Sequence, residues 1–172
     1  MSPAPRVEIV PATRADLADV YRLMRGLAVY ERLEHAFVAT EADLERGLFG
    51  SPPAAEAFLG KLDGRAVGYA LVFTAFSTFA GKPCLWLEDL FVDPAARGHG
   101  VGKALLVRLA QITVERGYAR LEWNVLDWNE PAIGFYKSLG AVPMDEWTTM
   151  RLVGDALLRV AGVAAPSPSP SP

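Results

Sequence analysis

The sequence predicts an α/β fold, a single mixed central sheet of about six to seven strands with about four helices packed on it. Three observations carry that expectation. Runs with an apolar period of two alternate along the chain with runs of helical period. Two of the β-prone runs meet at Asp63-Gly64, the dipeptide of a tight hairpin. A strand followed by a glycine-rich loop that opens a helix, Leu85 to Lys103, implies a parallel crossover into the next strand.

Arg6 to Pro11 alternates Val7 and Ile9 with polar neighbours and reads as the first strand. Thr13-Arg14-Ala15-Asp16 has the form of a capping box, and Leu17, Val20, Tyr21, Met24, Leu27 and Ala28 follow at helical spacing. Tyr30 to Ala39 reads as a loop. Thr40-Glu41-Ala42-Asp43 repeats the start signal for a short second helix on Leu44 and Leu48, stopped by Gly47 to Pro53. Ala57 to Leu62 and Arg65 to Phe76 flank the Asp-Gly turn as antiparallel strands, Ser77 to Pro83 turns again, and Cys84 to Val92 is the fourth strand. Leu105, Leu106, Leu109, Ala110 and Thr113 give the third helix a buried stripe that Gly117 ends. Arg120 to Leu126 is a fifth strand, Asn129 to Leu139 a fourth helix with Pro131 in its first turn and Gly140 beyond it, and Trp147 to Val153 a last strand. Asp155 to Ala161 has room for about one or two helical turns. The Ser-Pro alternation of Pro166 to Pro172 cannot build a core, so the expected organisation is one domain over residues 1–162 and a disordered tail over 163–172.

A chain of 172 residues, 51% hydrophobic and 22% charged, suits one globular domain. Its single cysteine, Cys84, excludes an internal disulfide and a multi-cysteine metal site, and no metal is expected. Met1 to Pro11 lacks a basic start with an apolar run behind it, and Ala66 to Phe76 is too short to span a bilayer, so a cytoplasmic protein is expected. A net charge of −3 argues against nucleic-acid binding.

Between Leu85 and Lys103 the chemistry becomes specific. Arg97, Gly98, His99, Gly100, Val101, Gly102 and Lys103 follow a strand and open a helix, where backbone N–H groups and the positive end of the helix dipole converge. The expected guest is a pyrophosphate. His99 is expected to contribute its backbone rather than its ring, and Cys84 to be buried.

Arg97-Gly98-His99-Gly100-Val101-Gly102 matches Arg/Gln-x-x-Gly-x-Gly/Ala, and the order of elements around it resembles the GCN5-related N-acetyltransferase (GNAT) family over nearly the whole chain. Leu87-Glu88-Asp89-Leu90-Phe91-Val92, the block from Asp127 through Tyr136 to Ala141, and Leu27-Ala28-Val29-Tyr30-Glu31 look like its polyamine enzymes, the spermidine/spermine type and the thialysine type. The resemblance implies acetyl-CoA as co-substrate and direct attack by a primary amine of a small cationic acceptor in a ternary complex. Leu90, Phe91 and Val92 would pair through their backbone with the pantetheine, and Asn129 and Pro131 resemble a CoA-contacting turn. Tyr136, a phenol expected at the start of a helix beside the CoA site, matches the tyrosine that protonates the departing sulfur.

Glu88 resembles the carboxylate that takes the ammonium proton through water, and its place in an apolar strand is expected to raise its basicity. Strand alternation allows either Glu88 or Asp89 to face the acceptor, but not both; Glu88 is expected as the base, with Asp89 left as a substrate contact or a helix-facing partner. Tyr30 and Glu31 would form an amine-binding pair. Glu122 and Glu146, with Trp123 and Asn124 on the strand they flank, would complete a cationic acceptor site. The resembled enzymes pair through C-terminal strands, which implies a homodimer. Two departures bear on acceptor choice: Ser138-Leu139 stands where the animal spermidine/spermine enzyme has two arginines, and Phe79-Ala80-Gly81-Lys82 replaces its Trp-Ile-Gly-Lys loop. The rival readings are a protein lysine or N-terminal acetyltransferase and a non-catalytic acyl-CoA-binding module.

Overall fold

The computed structural model describes residues 5–163, which fall into two compact units divided after Asn124. The first unit opens with β1 (Val7–Pro11), a 3-10 turn and α1 (Leu17–Glu31), followed by α2 (Glu41–Phe49), β2 (Glu56–Leu62), β3 (Arg65–Ser77), β4 (Lys82–Val92), α3 (Val101–Glu115) and β5 (Leu121–Trp123). Both predicted start signals act as capping boxes. Asp16 closes on Thr13, and the Thr40 hydroxyl accepts from the Asp43 N–H while the Asp43 carboxylate accepts from Thr40. The predicted hairpin forms with Leu62 opposite Arg65, and Asp63 and Gly64 take φ of 50° and 82°, the left-handed pair that this turn requires.

The strands form one sheet in the order β1-β2-β3-β4-β5, antiparallel except for the β4–β5 crossover pair. One face packs Tyr69 and Phe91 against Val20, Leu23, Leu44 and Leu48 of α1 and α2. On the other face lies α3, whose approach requires glycine in the sheet. A Cβ on Gly60 would stand 2.5 Å from Val101 Cγ1, and one on Gly68 would stand 3.3 Å from the same atom. Burying the apolar side chains of these two faces supplies the main driving force for folding.

The second unit contains α4 (Glu130–Ser138) and α5 (Gly154–Ala161). Gly140 ends the α4 turn at φ of 91°, as expected.

Two expectations about the fold are corrected. The described residues hold five strands and five α-helices, not six or seven strands and four helices. Trp147 to Val153 is not a strand. Its β-propensity needs a partner ladder to be expressed, whereas the Trp147 N–H closes a turn onto the Met144 carbonyl and Val153 becomes the N-cap of α5. The fifth strand stops at Trp123 because the Leu126 carbonyl accepts from the Asn129 N–H in the turn that leads into α4. Of the expected tail, Pro166 to Pro172 lies outside the described residues.

Candidate active site

After β4 the chain is tied to the sheet by the Asp93 N–H, which donates to the Val67 carbonyl at 2.8 Å, and it reaches α3 through Gly98 and Gly100 at φ of 83° and 81°. Open space surrounds both Cα positions, so glycine is needed there for the backbone conformation. Gly102 differs, since a Cβ would stand 3.6 Å from Val92 Cγ2 in ordinary contact. The first-turn amides of α3 have no intrahelical acceptors and point outward, which suits an anion. The Val101 side chain is buried and Lys103 is exposed. His99 Nδ1 lies 3.1 Å from the Arg97 carbonyl and 3.2 Å from that of Ala96; two acceptors assign the hydrogen to that nitrogen, so the ring braces the loop. Arg97 turns back onto the protein. Its Nε donates to the Val92 carbonyl at 3.2 Å, and its guanidinium stands 4.5 Å above the Tyr30 ring.

Because β5 pairs only with Leu85, Trp86 and Leu87, it leaves the backbone of Leu90, Phe91 and Val92 without a ladder on that side. An extended amide-bearing ligand can add there as a strand. Open edge and cradle together fit the pantetheine and pyrophosphate of a coenzyme A thioester.

The decisive feature of β4 lies one step earlier. Leu71 pairs with Asp89 and Val72 with Leu87, so Glu88 is the extra residue of a β-bulge. Before the bulge, Trp86 lies opposite Phe73, and the Trp86 indole N–H donates to Glu88 at 3.0 Å. Beyond it, Asp89 lies opposite Leu71 and accepts from the Tyr69 hydroxyl at 2.9 Å. Tyr69, Leu71 and Phe73 share one face by alternation. The bulge therefore turns both Glu88 and Asp89 to the face covered by α1, which corrects the expectation that only one could lie there.

The two carboxylates differ in surroundings. Glu88 is exposed, whereas burial, reinforced by the charges of Glu88 and Glu31 and opposed by the Tyr69 hydrogen bond, raises Asp89 to about 6. The burial expected to act on Glu88 falls on its neighbour. Glu31, at the end of α1, is half-buried, and desolvation raises its pKa as well. Tyr30 and Glu31 belong to the last turn of α1 and not to a loop, and the Tyr30 ring centroid lies 6.5 Å from that of Phe91.

Other expected residues are placed elsewhere. Glu122 is paired with Arg120 at 2.7 Å, so its charge is already met, and Trp123 and Asn124 end the first unit. Asn129, Pro131, Tyr136 and Glu146 belong to the second unit. There Asn129 caps α4, its carbonyl accepting from the Ile133 N–H at 3.0 Å, and Pro131 stands in the first turn. Tyr136 is in the last turn of α4 and not at its start, with its ring 5.4 Å from that of Phe135. Glu146 is exposed and Cys84 is buried.

Sequence reasoning missed Tyr69, Trp86 and the bulge. A hydroxyl inside the apolar run Ala66 to Val72 was one available signal. Two adjacent acids in an apolar strand, which strict alternation cannot accommodate on one face, were another.

The Acetyltransferase (GNAT) family profile matches residues 17–141. Thialysine N-epsilon-acetyltransferase of Mus musculus is 32% identical over 162 residues, covering 88% of this chain and 95% of the relative. L-ornithine N5-acetyltransferase of Arabidopsis thaliana is also 32% identical, over 85% of this chain and 84% of the relative. Among solved structures, an integron cassette protein from the mobile metagenome of V. cholerae superposes with a TM-score of 0.76 at 28% identity, over 90% of this chain and 97% of that one.

Proposed function

The chain belongs to the acetyltransferase (GNAT) family, and on that footing we propose that it transfers acetyl from acetyl-CoA to a primary amine of a small cationic acceptor by direct attack in a ternary complex. The observation that carries the acceptor class is the bulge that turns Glu88 and Asp89 to the α1 face, where their carboxylates act electrostatically with Glu31. Three carboxylates on one face favour an ammonium over a neutral or anionic partner. Thialysine and L-ornithine, named for the two relatives, each carry such an amine.

Acetyl-CoA supplies an activated acyl thioester. The amides from Gly98 to Lys103 would hold its pyrophosphate, the backbone of Leu90, Phe91 and Val92 would align its pantetheine arm, and Asn129 and Pro131 would form a further CoA-contacting turn. Aligned donors on β4 would also stabilise the oxyanion as the amine attacks. Tyr136 would protonate the departing sulfur. Either bulge carboxylate would relieve the ammonium of its proton, and Tyr30 and Glu31 on α1 would contact the acceptor. Among the described residues no helix is long and apolar enough to cross a membrane. A cytoplasmic homodimer completes the proposal; its support is the reduced buried Cys84 and the exposed apolar side chains Trp147 and Met150.

Acetyl-CoA consumption against spermidine, spermine, putrescine, thialysine, ornithine, lysine and a histone-tail peptide tests this reading. Turnover with at least one of the small amines is expected. Turnover with the peptide alone, or with none of them, would overturn it.

A further inference from the structure

We propose that Asp89, held by the hydroxyl of the buried Tyr69, is the carboxylate that accepts the proton of the acceptor ammonium, with Tyr69 as its positioning residue and Glu88 and Glu31 holding the cation. The inference rests on the acetyltransferase reading and deepens it. Its first support is geometric. The bulge brings Asp89 to the same face as Glu88, but only Asp89 is fixed by a donor from the core, at 2.9 Å from a tyrosine that is 0% exposed. Glu88 is exposed and receives the Trp86 indole at the strand surface.

The groups acting on Asp89 are Tyr69 on β3, Glu88 on β4 and Glu31 at the end of α1, and none is a cation. Arg97, the guanidinium near the end of α1, stacks on Tyr30. Burial, with the charges of Glu88 and Glu31 added to it, holds Asp89 at about 6, so near neutral pH it is ionised and yet a stronger base than an ordinary carboxylate. In the step itself an ammonium N–H bond breaks and its proton passes to Asp89, directly or through one water, leaving the nitrogen lone pair free to attack the thioester carbonyl. When the intermediate collapses, the second nitrogen proton balances the protonation of the thiolate, and Asp89 returns its proton to solvent.

Spermidine and thialysine serve as probes, with kcat and KM measured from pH 5 to 9 on the full chain. Asp89→Asn should lower kcat by about 10²- to 10⁴-fold. Glu88→Gln should mainly raise the amine KM, by about three- to tenfold, because it removes uniform cation binding. Tyr69→Phe withdraws a hydrogen bond that favours the ionised carboxylate, so the acidic limb of kcat/KM should move to higher pH while kcat at pH 8 to 9 is largely kept. A merely structural tyrosine would lower activity without moving the limb. The inference is overturned if the kcat loss falls on Glu88→Gln and not on Asp89→Asn, or if Tyr69→Phe leaves the limb in place. Should Asp89→Asn fail to fold, the Tyr69→Phe profile decides alone. If neither probe turns over, the same measurements are made with whichever of spermine, putrescine, ornithine and lysine does; a native enzyme that acetylates none of these small amines defeats the small-amine reading instead.

Discussion

The raised pKa of the half-buried Asp89 carboxylate has a consequence for stability. Its pKa in the fold is about 6 against an ordinary 3.8, so between those values the native state binds more protons than the unfolded chain. Stability contributed by the protonated form is present at low pH and is lost as pH rises through that window. Asp89→Asn keeps an acceptor for the Tyr69 hydroxyl and removes the charge, so it should stabilise the protein by about 1 to 3 kcal/mol at pH 8, with the gain vanishing near pH 4. Denaturant unfolding of both proteins at the two pH values measures this, and an equal or lower stability of the variant at pH 8 would refute it. At Glu31 the desolvated carboxylate has a cation to gain, so Glu31→Gln should raise the amine KM with little change in kcat, and the difference from wild type should shrink with added salt. Tyr136→Phe removes only a hydroxyl proton; the expected result is a kcat reduced by about 10²- to 10⁴-fold with acetyl-CoA binding kept, read by steady-state kinetics and ligand titration.

Secondary-structure ends, more than their interiors, build the functional surface. Gly100 is the N-cap of α3 at φ of 81°, where a β-branched side chain is strained and would disturb the loop proposed to hold the pyrophosphate. Gly100→Val should therefore raise the acetyl-CoA KM strongly. Gly102 has ordinary backbone angles and room for a methyl group, so Gly102→Ala should be nearly silent in the same assay. The reverse ranking would remove the cradle. Capping matters at α2 as well: the Thr40 hydroxyl accepts from the Asp43 N–H at 3.2 Å, and Thr40→Ala should cost about 1 kcal/mol in denaturant unfolding. The bulge in β4 belongs to this scale too, because one unpaired residue moves Glu88 onto the face that alternation would have reserved for Asp89 alone.

For the whole molecule, the two units carry different loads. Residues up to Asn124 hold the sheet, the glycine loop before α3 and the carboxylate face, while the second unit contains α4 with Tyr136 and its N-cap Asn129. The expected dimer was argued from a strand over residues 147–153, and that strand is absent. What remains is apolar exposure, with Trp147 at 72% and Met150 at 87%. Exposed apolar side chains of this kind are what the proposed dimer would cover. Light scattering at micromolar concentration should give twice the chain mass, and Trp147→Ser with Met150→Ser should return it to the single-chain value.

Local signals determined most elements and the chemistry of the class. Thr13 to Asp16 and Thr40 to Asp43 announced two helices, Asp63-Gly64 the hairpin, and Arg97 to Gly102 the glycine loop that opens α3, because caps, turns and positive-φ glycines act within a few residues of the chain. The blocks around Glu88, Tyr136 and Tyr30 pointed to the family that the comparisons establish. Three matters were decided by tertiary structure. Whether Trp147 to Val153 forms a strand depends on a partner ladder, which no local propensity supplies. Which bulge residue is buried depends on the register of β4 against β3, and the hydroxyl that holds Asp89 comes from Tyr69, a distant residue brought near only by that pairing. The charge of Glu122 is met by Arg120, whose side chain reaches it from just before β5. Propensity and motif are properties of neighbours along the chain; basicity is a property of what surrounds a group in space, and only the packed sheet settles that.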